Sequence, residues 1–395
     1  MFIGKRSNFI LHMSNNSKIF TSIGLMSGTS LDGVDAAIIK TDGKNFIELG
    51  PAITLEYSKN FRSSLFSVIN SKNKNKQEVS DIEFELTKYH ADIIKSLLKL
   101  NKLSSKNIDI IGFHGQTIFH NPEERISVQL GDGKLLSQLS KKTVIYNFRK
   151  NDLMNGGQGA PLTPIFHKSL KEKIYGKNIP VIFINIGGIT NVTCFNSMDK
   201  FDKSMFASDI GPGNCLIDEW VRNNTNEKYD KDGIIAKSGK INELILNQAL
   251  DNFEGNLNSS LDIKDFDVSF ARGLSLEDGA STITNFTAEI ITTSLKNLLE
   301  KNKYDLDNHL LPNFIICGGG RKNKYLMDLL SAKISKKIGY KKFQLIDEHN
   351  VDGDFIESEA FAFLAIRSFL NLPISFPNTT GCKEPCTGGV MVTNY

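Results

Sequence analysis

One stretch decides the fold of this chain: Ile23-Gly24-Leu25-Met26-Ser27-Gly28-Thr29-Ser30-Leu31-Asp32-Gly33-Val34-Asp35. An apolar run enters this loop of small residues, and a β-branched run from Val34 to Ile39 leaves it. Because glycine has no Cβ, backbone N–H groups can close on an anion there, and the hydroxyls of Thr29 and Ser30 add donors. Asp32 and Asp35 offer carboxylate oxygens, the ligands that a nucleotide-bound Mg²⁺ requires. The stretch therefore favours polyphosphate binding, although it matches neither the Walker pattern nor the dinucleotide fingerprint.

A simpler interpretation of such a loop is an ordinary hairpin, because glycine, serine and aspartate are common in turns. Three further glycine loops favour the phosphate-binding interpretation: Gly187-Gly188, Asp209-Ile-Gly-Pro-Gly213 and Gly318-Gly319-Gly320. The first and third of them follow largely apolar runs, Val181–Ile186 and Phe314–Cys317. For Gly187-Gly188 alone, a bulge at the end of a strand is the competing explanation.

Composition limits the class of protein. A chain of 395 residues suits two domains of ordinary size. Its hydrophobic share of 40% and charged share of 23% are typical of soluble globular proteins. The net charge of +3 is spread along the chain, so we expect neither a nucleic-acid nor a membrane partner.

Localisation is predicted from two features. No apolar stretch reaches the roughly 20 residues that span a bilayer, and residues 1–20 lack the core of a signal peptide. The five cysteines show no metal-ligand spacing that includes a partner histidine or second cysteine pair, and we predict that all are reduced thiols in a cytoplasmic protein. They are Cys194, Cys215, Cys317, Cys382 and Cys386.

The apolar pattern predicts alternating strands and helices. Strands are expected at Ile23–Met26, Val34–Lys40, Phe46–Leu49, Ile108–Phe113, Val144–Phe148, Val181–Ile186, Asn191–Phe195, Phe206–Ser208 and Phe314–Cys317. Helices are expected from the capping box Ser80-x-x-Glu83, over Lys134–Leu139, from about Asn214 to Val221, over Thr282–Leu299, from near Asn323, and over Glu357–Leu370. A strand–glycine–strand hairpin opens each half, which predicts a duplicated α/β unit around a cleft.

Nine blocks in order along the chain resemble the anhydro-N-acetylmuramic acid kinase family. They are Gly24-Leu-Met-Ser-Gly-Thr-Ser-Leu-Asp-Gly-Val-Asp35, Gly112-Phe-His-Gly-Gln-Thr-Ile-Phe-His120, Gln129-Leu-Gly131, Asn147-Phe-Arg-Lys-Asn-Asp152, Gly156-Gly-Gln-Gly-Ala-Pro-Leu-Thr-Pro-Ile-Phe-His167, Asn185-Ile-Gly-Gly-Ile-Thr-Asn191, Asp209-Ile-Gly-Pro-Gly-Asn214, Gly318-Gly-Gly320 and Glu357 ahead of Ala360-Phe-Ala362. The blocks span nearly the whole chain.

The resemblance implies an α/β fold with duplicated RNase H-like domains of the actin, hexokinase and Hsp70 ATPase superfamily around a central ATP cleft. We expect a first domain over residues 21–145 and a second over 146–395, whose C-terminal helix packs back on the first. The implied reaction opens 1,6-anhydro-N-acetylmuramic acid with water and phosphorylates O6 from ATP, giving N-acetylmuramic acid 6-phosphate in peptidoglycan recycling. Such enzymes are cytoplasmic, Mg²⁺-dependent and usually homodimeric.

The glycine loops take their roles from the resemblance. The first loop is similar to the family's first phosphate loop, the Asn185–Asn191 hairpin to its second, and Gly318–Gly320 to the adenosine loop. The expected ATP-binding residues are Ser27, Gly28, Thr29, Ser30, Leu31, Asp32, Gly33, Val34, Gly187, Gly188, Gly318, Gly319 and Gly320. Asp32 is also the candidate ligand of Mg²⁺ or of its water shell.

Attack of water on an anomeric carbon requires a carboxylate base. The resemblance assigns this role to Asp209, while an aspartate that caps the following helix is the competing interpretation. Sugar contacts are expected from His114, Gln116 and Thr117, although a histidine in such a position is often structural.

Two further residues complete the expected sugar site. Arg149 is the candidate for a lactyl carboxylate or a phosphate, with a surface salt bridge as the alternative. Glu357 is expected to contact sugar or water, with compensation of the helix dipole as the alternative. Where the family commonly has Asp-Phe-Arg, this chain has Asn147-Phe148-Arg149, so a charged role at position 147 is in doubt.

Two other functions are left open by the sequence. A kinase for a related anhydro sugar such as levoglucosan would share the ATP loops and differ in recognition of the carboxylate. A nucleotide-operated binding protein, as found elsewhere in the superfamily, would respond to a protein partner instead of a sugar.

Overall fold

The structure is a computed structural model that describes residues 18–28, 31–71, 75–195, 205–253, 261, 263–301, 311–339 and 343–395. Its strands are β1 (Phe20–Ser27), β2 (Gly33–Thr41), β3 (Ile47–Glu56), β4 (Ile110–Asn121), β5 (Ile126–Leu130), β6 (Thr143–Tyr146), β7 (Val181–Ile186), β8 (Ile189–Phe195), β9 (Met205–Pro212), β10 (Asn313–Cys317), β11 (Gln344–Leu345) and β12 (Val390–Val392). Its α-helices are α1 (Lys59–Asn70), α2 (Lys76–Leu100), α3 (Gly133–Ser140), α4 (Lys150–Met154), α5 (Pro164–Tyr175), α6 (Cys215–Asn224), α7 (Ile234–Ser238), α8 (Glu243–Asp251), α9 (Leu276–Lys301), α10 (Lys324–Ile338), α11 (Ile356–Phe369) and α12 (Pro377–Thr380).

The strands form two sheets with the same plan. The first has the order β12-β6-β4-β1-β2-β3, with β5 paired to β4, and the second has the order β11-β10-β7-β8-β9. In each sheet the opening hairpin and its third strand are antiparallel, while the next two strands lie parallel to the opening strand. The shared order and direction confirm the duplicated α/β unit that the two glycine hairpins predict.

The helix α11 lies between the two sheets. It contacts β1, β2 and β4 of the first sheet, and its apolar residues share one buried cluster with residues of both sheets, such as Ile110 and Phe183. Two further clusters lie on the outer faces, one between the first sheet and α2, the other between the second sheet and α9. This central core holds the two halves on either side of a cleft.

Two glycines let α11 approach the first sheet closely. Gly24 of β1 and Gly112 of β4 are register partners in neighbouring strands. A Cβ at Gly24 would lie 1.8 Å from Ser358 O, and one at Gly112 would lie 2.1 Å from Phe361 O. Both distances are far below van der Waals contact, so the helix backbone occupies the space of the two missing side chains.

Several element boundaries differ from the sequence prediction. The helix expected at Ser80 begins at Lys76, because Asn75 Oδ1 accepts a hydrogen bond from Gln77 N–H and caps it. The segment 209–212, expected as a loop, continues β9, because Asp209, Gly211 and Pro212 pair with β8 around a bulge at Ile210. The helix expected from Thr282 begins at Leu276.

The first turns of α9 pack closely against Trp220 of α6. Gly279 lies in its first turns, and a Cβ there would lie 2.1 Å from the Trp220 ring. Glycine therefore serves close packing rather than helix termination at this position.

Among the described residues, no helix is both long enough and apolar enough to cross a bilayer.

Candidate active site

A cavity of about 850 Å³ lies between the two sheets and receives residues from both. The first half contributes Gly28, Asp32, Asp35 and Thr54. The second half contributes the remaining walls: Asn185, Gly187, Gly188, Ile189, Asn191, Asn214, Cys215, Asp218, Arg222, Leu261, Gly318, Gly319, Lys322, Gly353, Asp354, Ile356 and Glu357. Three of the glycine loops singled out in the sequence thus meet at one cavity, through Gly28, Gly187-Gly188 and Gly318-Gly319.

The loops of the second half are tied to one another through the backbone. Gly213 N–H donates to Gly188 O over 2.9 Å, and Asn214 N–H donates to Gly187 O over 2.8 Å. Gly318 has φ +80°, and a Cβ there would lie 2.5 Å from Ile186 O. A Cβ at Gly213 would lie 2.2 Å from Gly187 O, so glycine is required at positions 213 and 318 because backbone segments pass too closely for a side chain.

Side-chain hydrogen bonds of Ser27 hold the start of the first loop. Ser27 Oγ donates to Gln116 Oε1 over 2.7 Å and accepts from the Tyr57 hydroxyl over 2.7 Å. Leu31 has φ +53°, and its N–H donates to Gly28 O. The expected donors Thr29 and Ser30 lie outside the described residues.

Two residues expected to bind ATP belong to β2. The Val34 side chain is fully buried in the core, and a Cβ at Gly33 would lie 2.5 Å from Leu55 O. Asp32, in contrast, is exposed and lines the cavity. The loop therefore presents Gly28 and Asp32 to the cleft, while Gly33 and Val34 hold its far end against β3.

Carboxylates of both halves face one another across the cavity. Burial raises the pKa of Asp35 to about 6, the nearby charges of Asp32, Glu357 and Asp354 act in the same direction, and a hydrogen bond from Thr54 opposes them. Burial also raises the pKa of Asp218 to about 7. Hard oxygen ligands of this kind suit Mg²⁺, and the repulsion among them is what a cation relieves.

A second cavity of about 180 Å³ adjoins the first. Both cavities are lined by Asn185, Asn191, Ile356 and Glu357. Its other walls are Met26, Arg149, Ala160, Pro161, Leu162, Thr163, His167 and Phe361. Glu357 lines both cavities, and desolvation raises its pKa while the Arg149 charge opposes this effect.

Arg149 brings an incompletely paired cation to the smaller cavity. Nη1 donates to Gly159 O over 2.8 Å, and Nη2 donates to His114 Nε2 over 3.0 Å. Nε is shielded from solvent and has no hydrogen-bond partner among the described residues. Its pKa is lowered by burial, with Glu357 as the first of the opposing charges.

His114, Gln116 and Thr117 lie behind the cavities rather than in their walls. His114 Nδ1 donates to Gly115 O, and burial with the Arg149 charge lowers its pKa to about 3, so the neutral ring accepts from Arg149. Gln116 is fixed by Ser27, and Thr117 Oγ1 accepts from Gln129 over 3.4 Å. The structure thus places His114 and Gln116 as supports of Arg149 and Ser27.

Asp209 lies in β9 opposite Asn191 of β8. Its Oδ2 accepts a hydrogen bond of 2.8 Å from Leu261 N–H, and both Leu261 and Asn191 line the larger cavity. Asp209 itself is not a wall residue of either cavity. Because it lies within a strand, it does not cap α6, which rules out the competing interpretation for this residue.

Several wall residues were not singled out from the sequence. Asp218, Asp354 and Lys322 gave no signal, because charged residues on helices and loops are most often solvated. Asn185 and Asn191 carry a usable signal, since a polar residue interrupts the otherwise apolar β7 and recurs at its register partner in β8.

The duplicated sheets and the cleft lined by glycine loops define a protein of the actin, hexokinase and Hsp70 ATPase class. A sequence model of the family described as "Anhydro-N-acetylmuramic acid kinase" matches residues 20–394. The chain belongs to the anhydro-N-acetylmuramic acid kinase family, as the nine sequence blocks indicate.

Relatives agree with this assignment. The anhydro-N-acetylmuramic acid kinase of Pelagibacter ubique is 49% identical over 391 residues, covering 96% of this chain and 100% of that protein. That of Rhizobium etli is 40% identical over 381 residues, covering 94% of this chain and 98% of that protein. A solved ROK family glucokinase from Streptomyces griseus, in complex with glucose and AMPPNP, aligns with a TM-score of 0.40 at 12% identity, covering 87% of this chain and 99% of that chain. A similarity of that size carries no argument about the site.

Proposed function

We propose that this chain uses ATP and water to convert 1,6-anhydro-N-acetylmuramic acid into N-acetylmuramic acid 6-phosphate. The observation that carries the proposal is the pair of joined cavities. The larger one has the glycine loops that suit a nucleotide, and the smaller one has the cation Arg149. Glu357 lies in the walls of both, where a sugar and a γ-phosphate would meet.

Asp209 is our proposed base. In the reaction, a water oxygen bonds to the anomeric carbon and its proton passes to the Asp209 carboxylate. The bond from the anomeric carbon to O6 breaks, O6 takes the γ-phosphoryl group, and ADP leaves. The hydrogen bond from Leu261 N–H supports this role, because it fixes one carboxylate oxygen. Glu357 is proposed to orient the water or a sugar hydroxyl.

Asp32, with Asp35 beside it, is the proposed holder of Mg²⁺. Both lie on the first half, whereas the Asp354 carboxylate across the cavity is already ion-paired with Arg321 and Lys322. The raised pKa of Asp35 fits a set of oxygen ligands that a cation would stabilise. Magnesium supplies charge neutralisation of the phosphates in phosphoryl transfer.

Arg149 supports a substrate that carries a carboxylate. Gly159 O and His114 use two of the five guanidinium N–H groups of Arg149, so its two terminal nitrogens have donors left for an anion. The lactyl group of muramic acid supplies a carboxylate, whereas levoglucosan has none. The geometry therefore favours the muramic sugar over the plain anhydro sugar.

The test is a mass spectrum of the products formed from Mg-ATP and 1,6-anhydro-N-acetylmuramic acid in ¹⁸O-labelled water. We expect one phosphoryl group and one labelled oxygen in the sugar. Turnover of levoglucosan alone would overturn the proposed substrate but support the proposed reaction. Nucleotide binding without turnover of either sugar would show that the chain is a nucleotide-operated binding protein and not this enzyme.

Two further expectations follow from the family. We infer that the chain forms a homodimer and acts in the cytoplasm. Light scattering during size-exclusion chromatography tests the first, with twice the mass of one chain as the expected result. Fractionation of cells that produce a tagged chain tests the second.

A further inference from the structure

Outside the cleft, three potential metal ligands meet in a buried cluster. Asp152 lies in α4, and Cys382 and Cys386 lie in the segment between α12 and β12. One ligand atom from each residue falls within 4.8 Å of the others, and all three side chains are buried. The pairing was not visible in the sequence, because 230 positions separate Asp152 from Cys382.

The Asp152 carboxylate is held in a fixed orientation. Oδ1 accepts from Thr380 Oγ1 over 2.5 Å, and Oδ2 accepts from Gly159 N–H over 2.6 Å. Each carboxylate oxygen has a second lone-pair site. Outer hydrogen bonds that orient a ligating carboxylate are typical of protein metal sites. Among the described residues, Asp152 forms no ion pair that would neutralise it.

Ser375 places a hydroxyl beside the cluster. It is fully buried, and its backbone pairs with that of Cys386 in an antiparallel bridge, so the two side chains are neighbours. Its side chain interacts with the Cys386 thiol, which brings a further oxygen atom to the three potential ligands.

The spacing of the cysteines fits zinc. Three residues separate Cys382 from Cys386, within the two-to-four range of ligand pairs in zinc sites. Zinc–sulfur bonds of about 2.3 Å in a tetrahedron hold two sulfurs about 3.8 Å apart. The three ligand atoms are therefore close enough to bind one ion after a small contraction.

The charge balance is compatible with a divalent ion. An empty site holds one carboxylate and two neutral thiols. Binding of Zn²⁺ as a dithiolate releases two protons, so the net charge of the buried site stays at minus one.

We propose that Asp152, Cys382 and Cys386 bind one zinc ion, with the Ser375 hydroxyl or a water as the fourth ligand. The site lies behind the smaller cavity. Gly159 N–H binds Asp152 while Gly159 O accepts from Arg149, and the next four residues, 160–163, line that cavity. The ion would thus tie the C-terminal segment to the wall of the proposed sugar pocket.

The experiment measures zinc in the full chain purified in reductant, by atomic mass spectrometry after desalting. We expect one zinc per chain in the wild type and in the control Cys194→Ser, whose residue lies in a different buried cluster. Cys382→Ser and Cys386→Ser should each lose most of it. If these variants do not fold, Co²⁺ exchanged into the wild type gives a second measurement, with thiolate-to-cobalt charge-transfer absorption as the expected result.

Two results would overturn the proposal. One is a stoichiometric disulfide between Cys382 and Cys386, seen as a loss of two thiols and two mass units in the intact protein. The other is a chain with both thiols free, no zinc, and no cobalt–thiolate absorption on titration. Because zinc content is measured without substrate, an inactive chain that holds zinc contradicts only the proposed function.

Discussion

Arg149 illustrates how a single residue separates two substrates that share all other chemistry. Its guanidinium is fixed by Gly159 and by the neutral ring of His114, which take one N–H from each terminal nitrogen and leave the second N–H of each for a ligand. Arg149 is thus positioned before any ligand arrives, and a carboxylate that binds it loses little orientational freedom.

We predict that Arg149→Met weakens use of the lactyl sugar selectively. Loss of a charge-assisted hydrogen bond costs about 1.5–3 kcal/mol, or roughly 10- to 100-fold in kcat/KM. Steady-state kinetics with 1,6-anhydro-N-acetylmuramic acid measure this loss, and 1,6-anhydro-N-acetylglucosamine, which lacks the lactyl group, is the control substrate. Equal losses on both sugars would show that Arg149 supports the pocket without recognising the carboxylate.

The proposed role of Asp209 as the base is tested by replacing its carboxylate with an amide. Asp209→Asn keeps the size of the side chain and its acceptor for Leu261 N–H but removes the base. We expect kcat to fall by about 100-fold or more, with ATP affinity by calorimetry unchanged. The exposed Asp251→Asn serves as the matched control. Preserved turnover in Asp209→Asn would mean that another carboxylate is the base, and Glu357 would be the next residue to substitute.

Glu359 gives the protein a pH dependence of stability that is separate from catalysis. It is 3% exposed, and its Oε2 has no hydrogen-bond partner among the described residues. Burial raises its pKa from 4.5 to about 8, with Asp352 acting in the same direction and Lys173 opposing. The unfolded chain therefore ionises first as pH rises, and stability contributed by the neutral form is lost from about pH 4.5 to pH 8.

Glu359→Gln should remove this dependence. The difference in unfolding free energy between variant and wild type should grow in favour of the variant by about 2 kcal/mol from pH 5 to pH 7, since each pKa unit is worth about 1.4 kcal/mol. Urea unfolding at the two pH values measures it. A constant difference would mean that water reaches this carboxyl in the folded state.

At the scale of elements, α11 depends on the absence of two side chains. Gly24 and Gly112 lie side by side under its backbone, so the helix cannot move away from one without losing contact with the other. A Cβ at either position must shift the helix, and overpacking typically costs about 1–3 kcal/mol, or more where backbone is displaced.

We predict that Gly24→Ala lowers the unfolding free energy by about 3 kcal/mol or more, because its Cβ would overlap Ser358 O. Thermal unfolding without nucleotide measures the effect. The matched control is Gly319→Ala, where a new Cβ would meet no atom within 4 Å. Equal melting temperatures for the two variants would mean that α11 is less closely seated than described.

The elements show what sequence patterns can and cannot give. The apolar runs of β7 and β10 were found because burial on both faces leaves a nearly continuous apolar signal, broken in β7 only by Asn185. The end of β9 was missed because glycine and proline at positions 211 and 212 are typical of loops, while pairing with β8 extends the strand through them. The edge strands β11 and β12 have only two and three residues, too short for a periodic pattern, whereas the alternation of Ile126, Val128 and Leu130 in β5 was a usable strand signal that the prediction left out.

At the scale of the molecule, the glycine loops and their meeting place were predictable, because the chain repeats one unit and each unit brings its loops to the same cleft. The acidic wall residues Asp218 and Asp354 were not, since only the packing of the second half brings them to the cavity. The cluster of Asp152 with Cys382 and Cys386 likewise depends on contacts between distant segments.

The last strand closes the first sheet from the far end of the chain. β12 pairs with β6, Thr143 and Thr393 share a hydrogen bond of 3.0 Å, and Asn394 N–H donates to Ser137. Deletion of residues 389–395 should lower the unfolding free energy by about 2 kcal/mol, at about 1 kcal/mol or less for each hydrogen bond lost. Urea unfolding measures it, and an unchanged midpoint would show that β12 adds nothing to the sheet.

The seating of α11 and β12 on strands from the other end of the chain has a consequence for biosynthesis. A ribosome completes β1–β6 long before residues 356–392 exist, so the newborn first sheet has an uncovered apolar face and an unpaired edge while the second half is made. Uncovered apolar faces and unpaired sheet edges promote association between nascent chains. Translation speed and chaperone supply, rather than final stability, should therefore set the yield of folded protein in a cell.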